Sequence, residues 1–226
     1  MSRRFAVAIP AFEAAPSIAT VVQRVLAMSA EVVVVDDGSG DATGAAARAC
    51  GVPVLTNTVN LGKGRALKVA FDHLFGSGYD AVVTLDADGQ HPPEEMPKLL
   101  APWREGADLV LGTRAHLYGA MGRVRRASNG TSSWLISHVA GATLPDCQTG
   151  YRLYTRSLIE TIGFPEPRFE AESAVLVRAV RRGFRVVGVP VRLDEADGRA
   201  TSHYRPIVDS LRIAGAVARA RFEAMS

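Results

Sequence analysis

Ala81-Val82-Val83-Thr84-Leu85 runs directly into Asp86-Ala87-Asp88-Gly89-Gln90. An apolar run of this length predicts a buried strand, and the paired acids mark where it leaves the sheet. The same figure recurs along the first half of the chain. Phe5 to Ile9 is stopped by Pro10, Glu31 to Val35 by Asp36-Asp37-Gly38, and Asp108 to Leu111 by Gly112-Thr113-Arg114; Val52 to Leu55 is a further short strand. Helical patterns lie between them. Ser17 to Met28 carries Ile18, Val21, Val22, Val25 and Leu26, and Asp41 to Ala49 is alanine-rich. Lys63 to Phe75 puts Leu67, Ala70, Phe71 and Leu74 on one face, and Pro92-Pro93-Glu94-Glu95 opens another helix. Strand and helix in alternation require crossovers, so the expected class is α/β, a mostly parallel sheet with helices on both faces.

The second half is less regular. It reads as a helix over Ser128 to Ala140, a strand over Tyr151 to Tyr154, a helix over Glu170 to Arg182 and a strand over Phe184 to Val191. A polar loop from Asp194 to Tyr204 and a last helix over Pro206 to Met225 follow. With 226 residues, 47% of them hydrophobic, and no repeat or low-complexity linker, the chain is expected to form one domain over 1–226. Lys+Arg is 26 against Asp+Glu 23, a balance too mild to argue for nucleic acid. Cys50 and Cys147 make neither a disulfide framework nor a metal knuckle. The N-terminal apolar run is too short for a signal peptide, and no stretch approaches the roughly 18 to 20 apolar residues that span a bilayer. The expectation is a cytoplasmic, non-spanning protein.

Open parallel sheets bind ligands beyond the carboxyl ends of their strands. Four such ends carry polar residues here: Pro10 to Glu13, Asp36 to Ser39, Asp86 to Gln90, and Gly112 to Arg114. A dinucleotide reading of Gly38-Ser39-Gly40 fails, because the third glycine position holds Thr43 and two carboxylates precede the turn. Acids at a strand end suit ribose hydroxyls or base N–H groups; for Asp36 an Asx-type turn is the equal alternative. Asp86 and Asp88 can converge on a hard divalent cation, with Gln90 as a further oxygen donor. An EF-hand is excluded, since His91 and Pro97 stand where glycine and glutamate are needed. Asn60-Leu61-Gly62-Lys63-Gly64-Arg65 lacks the P-loop pattern but forms a basic helix N-terminus able to hold an anion.

Taken together, these blocks resemble the family 2 glycosyltransferases of the GT-A fold, in particular the polyprenyl-phosphate (dolichol-phosphate) mannosyl and glucosyltransferases. The matching stretches are Ile9 to Phe12, Val32 to Thr43, Asn60 to Ala66, Val83 to Pro92, Gly112 to Arg114, Asp146 to Arg152 and Phe169 to Glu172. The resemblance implies a nucleotide-sugar half over 1–114 and an acceptor half over 115–226. It implies Mg²⁺ or Mn²⁺ held by Asp86, Asp88 and Gln90, with Asp88 catalytic through that ion. Pro10, Phe12, Glu13, Asp37, Lys63, Asp86 and Ala87 would surround the nucleotide of a GDP- or UDP-hexose. Arg114, Arg125, Arg126 and Arg152, with Arg199, His203 and Arg205 of a late loop, would meet the diphosphate or the acceptor phosphate.

The family's first block commonly ends in Asn-Glu, whereas this chain has Glu13-Ala14. Asp146 stands where an acid is proposed as base in many relatives. A phosphate acceptor is already anionic at neutral pH, so orienting an arginine or the sugar is the open alternative. Arg123, Arg125 and Arg126 precede a helix bearing Trp134, a pattern suited to a membrane surface. A second such face is the last helix, with Ile207, Leu211, Val217 and Phe222 beside Arg212, Arg219 and Arg221; core packing with a solvated charged side is the alternative for both. The expected partners are a nucleotide sugar and a lipid phosphate at the inner face of the membrane. A soluble or glycan acceptor and a non-catalytic sugar-nucleotide module are the alternatives.

Overall fold

The computed structural model describes residues 3–114, 133, 136–144, 146–194 and 206–223, with 206 and 207 described by their backbone only. In chain order the elements are β1 (Phe5–Ala11), α1 (Ile18–Ala27), β2 (Val32–Asp36), α2 (Thr43–Ala49), β3 (Val54–Thr56), α3 (Lys63–Gly76) and β4 (Ala81–Thr84). After a 3₁₀ turn (Pro93–Glu95) come α4 (Met96–Arg104), β5 (Leu109–Thr113), β6 (Arg152–Thr155), α5 (Arg156–Ile162), α6 (Glu170–Arg181), β7 (Val186–Pro190) and α7 (Pro206–Glu223). Residues 133 and 136–140 are also helical.

The strands form one sheet in the order β3-β2-β1-β4-β6-β5-β7. Every neighbouring pair is parallel except those that involve β6, which runs antiparallel to both β4 and β5. The expected α/β class and mostly parallel sheet are found. The reversed strand is a difference, and it has a consequence for the site. Arg152 pairs with Thr84 and with Leu111, so the start of β6 lies where β4 and β5 end. The reversal brings Asp146 to Tyr151 to the carboxyl edge, facing Asp86.

The period-two alternation of the strands sends side chains to two cores. In β1, Ala6 and Ala8 join one and Val7 and Ile9 the other. The first core is closed by α3, α6 and α7 through Leu67, Phe71, Val175, Leu176 and Val217. Phe71 anchors it, with ring centroids 5.2 Å from Tyr154 and 5.1 Å from Phe164. The second is closed by α1 and α4 through Ile18, Val22, Leu99 and Trp103. Helices on both faces free the parallel strands to be apolar throughout.

Two helix starts are set by local chemistry. Thr155 ends β6 and caps α5, its Oγ1 accepting from the Leu158 amide at 3.3 Å. Gly62, with φ +97°, turns the chain into α3, and a Cβ at Gly64 would collide with the Glu166 carbonyl. The start of α3 is thereby pressed against the segment leading into α6. Among the described residues, no helix is long and apolar enough to cross a membrane.

Candidate active site

The carboxyl ends of β1, β2 and β4 and the start of α3 surround a cavity of about 760 Å³. Pro10, Phe12, Glu13, Asp37, Lys63, Asp86, Ala87 and Asp88 all line it, so the structure brings these sequence-derived candidates together. The first two strand ends are stitched to each other. The Asp37 amide donates to the Ala11 carbonyl at 2.8 Å. The Glu13 amide donates to Ser39 Oγ at 3.0 Å, and Glu13 Oε1 accepts from the Gly40 amide at 3.1 Å. Thr43, which replaces the glycine of a dinucleotide turn, accepts from the Ala14 amide at 2.7 Å. The departure at Glu13-Ala14 thus has a local account: Glu13 closes onto the second strand's turn, and Ala14 is buried.

Asp36 forms the Asx-type turn, its Oδ1 accepting from the Ser39 amide at 3.1 Å. Asp37 lies on the cavity wall, yet its carboxylate accepts from Asn57 Nδ2 (2.7 Å) and from the Leu61 (3.0 Å) and Gly62 (2.7 Å) amides. It fixes the loop that delivers Lys63.

Asp86 and Asp88 leave β4 together. Burial pushes the Asp86 carboxyl up, but the charge and hydrogen bond of Lys63, with the charge of Arg114, outweigh it and hold the group below the usual carboxylate range. Asp88 is moved the other way, raised by burial and by the charge of Asp86. Its Oδ1 accepts from the Gln90 amide at 3.0 Å. Paired oxygen donors, one of them short of positive charge, fit Mg²⁺ or Mn²⁺. No group of three His, Cys, Asp or Glu that could hold a metal occurs among the described residues. An ion here would therefore complete its shell with the Gln90 amide oxygen, water or phosphate oxygens, as Mg²⁺ commonly does. A Cβ at Gly150 would strike the Asp86 carboxylate, so this glycine makes the room in which that side chain lies.

Lys63 Nζ lies 2.7 Å from Asp86 Oδ1 and 2.9 Å from Glu172 Oε2. Burial works to lower its pKa, but the two carboxylates prevail and keep it raised, so it is fully charged. Beyond the end of β5, Arg114 and Asp146 form an ion pair. Asp146 Oδ2 accepts from the Arg114 amide (2.8 Å) and Nε (2.7 Å), and Oδ1 from Nη2 (2.8 Å). The Asp146 side chain is wholly buried, whereas that of Arg114 is 15% exposed.

One assignment needs correction. Arg152, expected to meet a phosphate, has no exposed surface. Its guanidinium donates to the carbonyls of Thr149 (2.7 Å), Glu172 (2.6 Å) and Cys147 (2.7 Å). It organises the wall behind Asp86 and does not reach the cavity. Arg123, Arg125, Arg126, Trp134, Arg199, His203 and Arg205 lie outside the described residues.

Several residues were not expected at the cavity from sequence, although Phe169 lies in a matching block and Arg212 on the helix face read as suited to a membrane surface. Arg168 and Phe169, before α6, and Asp209 and Arg212, on α7, line the same cavity. Glu172 was inside a matching block, but its contact with Lys63 joins positions far apart in the chain. His91 is buried with both ring nitrogens lacking a hydrogen-bond partner among the described residues. Its pKa is pushed down to about 4, chiefly by burial, so the ring is neutral at pH 7.

The family described as glycosyl transferase family 2 matches residues 6–163. The polyprenol monophosphomannose synthase of Mycolicibacterium smegmatis is 32% identical over 213 residues, covering 87% of this chain and 79% of that protein. The dolichyl-phosphate hexose transferase of Haloferax volcanii is 35% identical over 188 residues, covering 82% and 79%. The undecaprenyl-phosphate mannosyltransferase of Micrococcus luteus is 34% identical over 178 residues, covering 74% and 73%. Among solved structures, glucosyl-3-phosphoglycerate synthase from Mycobacterium tuberculosis, with Mn²⁺, uridine diphosphate and phosphoglyceric acid, superposes with a TM-score of 0.69 at 22% identity. The match covers 99% of this chain and 78% of that one, and it shows a shared fold.

Proposed function

The chain belongs to glycosyl transferase family 2, and on that footing we propose that it moves a hexose from a nucleoside-diphosphate sugar to a polyprenyl phosphate, with inversion at the anomeric carbon. The observation that carries this reading is the meeting of Asp86 and Asp88 with Lys63 and the nucleotide-facing strand ends around one cavity. The names of relatives 32%, 35% and 34% identical to this chain point to a lipid phosphate as acceptor.

Pro10 to Glu13 and the β2 turn form the walls for base and ribose. Asp37 acts at one remove, through the 57–62 loop that it holds. Asp86, Asp88 and Gln90 are the groups to hold Mg²⁺ or Mn²⁺, which when bound supplies a Lewis acid for the charge that develops on the leaving diphosphate. The positive charges of Lys63 and Arg114 both act on the Asp86–Asp88 pair. A polyprenyl phosphate is anionic at neutral pH and needs no base to attack. Asp146, with both oxygens on Arg114, therefore serves as a positioning residue that aims the guanidinium. An acceptor of this kind is met at a bilayer, so the protein works as a peripheral protein on the inner membrane face, with Arg123, Arg125, Arg126 and the Trp134 segment as the contact.

A thermal-stabilisation screen of GDP- and UDP-hexoses, each with and without Mn²⁺, identifies the donor. One nucleotide sugar is expected to raise the melting temperature, and only with the cation. Stabilisation by none of them would remove the donor assignment.

A further inference from the structure

Lys63 is the one cation within hydrogen-bonding distance of Asp86 among the described residues, and it sits on an oxygen that a divalent ion would need. Resting on the metal reading above, we infer that Lys63 is a resident counter-cation of the metal site. It occupies Asp86 until a divalent ion arrives, and Glu172 is the carboxylate onto which it withdraws.

Three observations carry this. First, the ammonium already bridges both carboxylates, at 2.7 Å and 2.9 Å, so transfer from one to the other needs only side-chain rotation. Second, Glu172 has acceptor capacity to spare. Its Oε1 is buried with no hydrogen-bond partner among the described residues, and Arg152 Nε, 3.9 Å away, belongs to a guanidinium committed to three carbonyls. An orphaned carboxylate oxygen in the interior is costly unless something uses it. A withdrawing ammonium, with three donors, would satisfy it. Third, the backbone beneath Lys63 is pinned. The Gly62 amide is on Asp37 Oδ2 and the Arg65 amide donates to the Pro167 carbonyl at 2.9 Å, so the side chain moves while its anchor does not.

The consequence is electrostatic. A divalent ion entering alone must displace an ammonium from a partly buried carboxylate, where charges interact more strongly than in water. An ion arriving with a diphosphate brings an anion that Lys63 can meet instead. Metal and nucleotide should therefore bind together far better than either does alone.

The test is titration of the full chain with Mn²⁺ alone, following the electron paramagnetic resonance of the free ion. Asp88→Ala serves as the control for site occupancy. Lys63→Met is expected to bind Mn²⁺ at least about tenfold more tightly than wild type, since the competing charge is gone. Glu172→Gln is expected to bind it several-fold more weakly, because Lys63 then has Asp86 as its only anionic partner. Opposite shifts distinguish this from a structural role, in which both changes would loosen the site. Should Lys63→Met fail to fold, Lys63→Gln takes its place with the same tightening expected, and a folded Lys63→Gln that binds Mn²⁺ no more tightly than wild type would overturn the inference. Asp88-dependent binding that neither variant shifts as stated would overturn the inference and leave the metal reading standing. No Asp88-dependent binding in wild type, with or without pyrophosphate, would remove both.

Discussion

Asp88 gives one carboxylate oxygen to the Gln90 amide, while burial and the charge of Asp86 raise its pKa. Its ionised form is a cost to the fold that a bound cation would repay. The sign follows from linkage: a raised carboxyl is relatively favourable to the folded state at low pH, and that contribution is lost as pH rises through the folded-state value. Asp88→Ala is therefore expected to leave the melting temperature at pH 7 unchanged or higher. Transfer should fall by about a hundredfold or more, because a first ligand of the ion is gone. Unimpaired turnover in a folded variant would contradict the assignment. His91 is the opposite case, with a pKa lowered from 6.5 to about 4 by burial. Its folded form stays neutral while the unfolded chain takes up a proton, so its contribution is present above pH 6.5 and is lost on acidification towards pH 4. The His91 ring resonances, assigned by their absence in His91→Phe, should keep their neutral positions down to about pH 5. A midpoint near 6.5 would mean that the ring is hydrated.

Among the elements, the order and type of the strands in the first half were legible, because runs such as Val32 to Val35 are apolar on both faces and end on acids. The direction of β6 was not. Tyr151 to Tyr154 reads as a short strand, but nothing in four residues says whether it enters the sheet parallel or reversed. That direction decides where the Asp146 to Tyr151 block goes, and it places Gly150 against Asp86. Gly150→Ala is accordingly expected to displace the Asp86 carboxylate, which as a side chain can yield, while the sheet stays paired. Mn²⁺ affinity and transfer should drop together by about tenfold or more, with only a small change in melting temperature. Full activity would show that the Asp86 position is not critical. The fate of Arg152 was equally illegible, since an arginine in a motif looks the same whether it meets a phosphate or three buried carbonyls. The Lys63–Glu172 contact was hidden for another reason: it joins two helix N-termini that meet only when Gly64 packs on the Glu166 carbonyl.

For the whole molecule, the sheet's carboxyl edge collects cavity-lining groups from the ends of β1, β2 and β4, and Arg168 and Phe169 before α6 with Asp209 and Arg212 on α7 close the same cavity. Residues before and after position 114 share one sheet and its cores. The central claim is cation-dependent transfer of a hexose to a lipid phosphate. Its most direct test incubates the full chain with radiolabelled GDP- and UDP-hexoses and a polyprenyl phosphate in detergent, with Mn²⁺ or with EDTA, and measures label in the organic phase. The account expects organic-phase label from one of these donors, abolished by EDTA and absent with Asp88→Ala. Label that stays aqueous with every donor, or transfer that persists undiminished in EDTA, would contradict it.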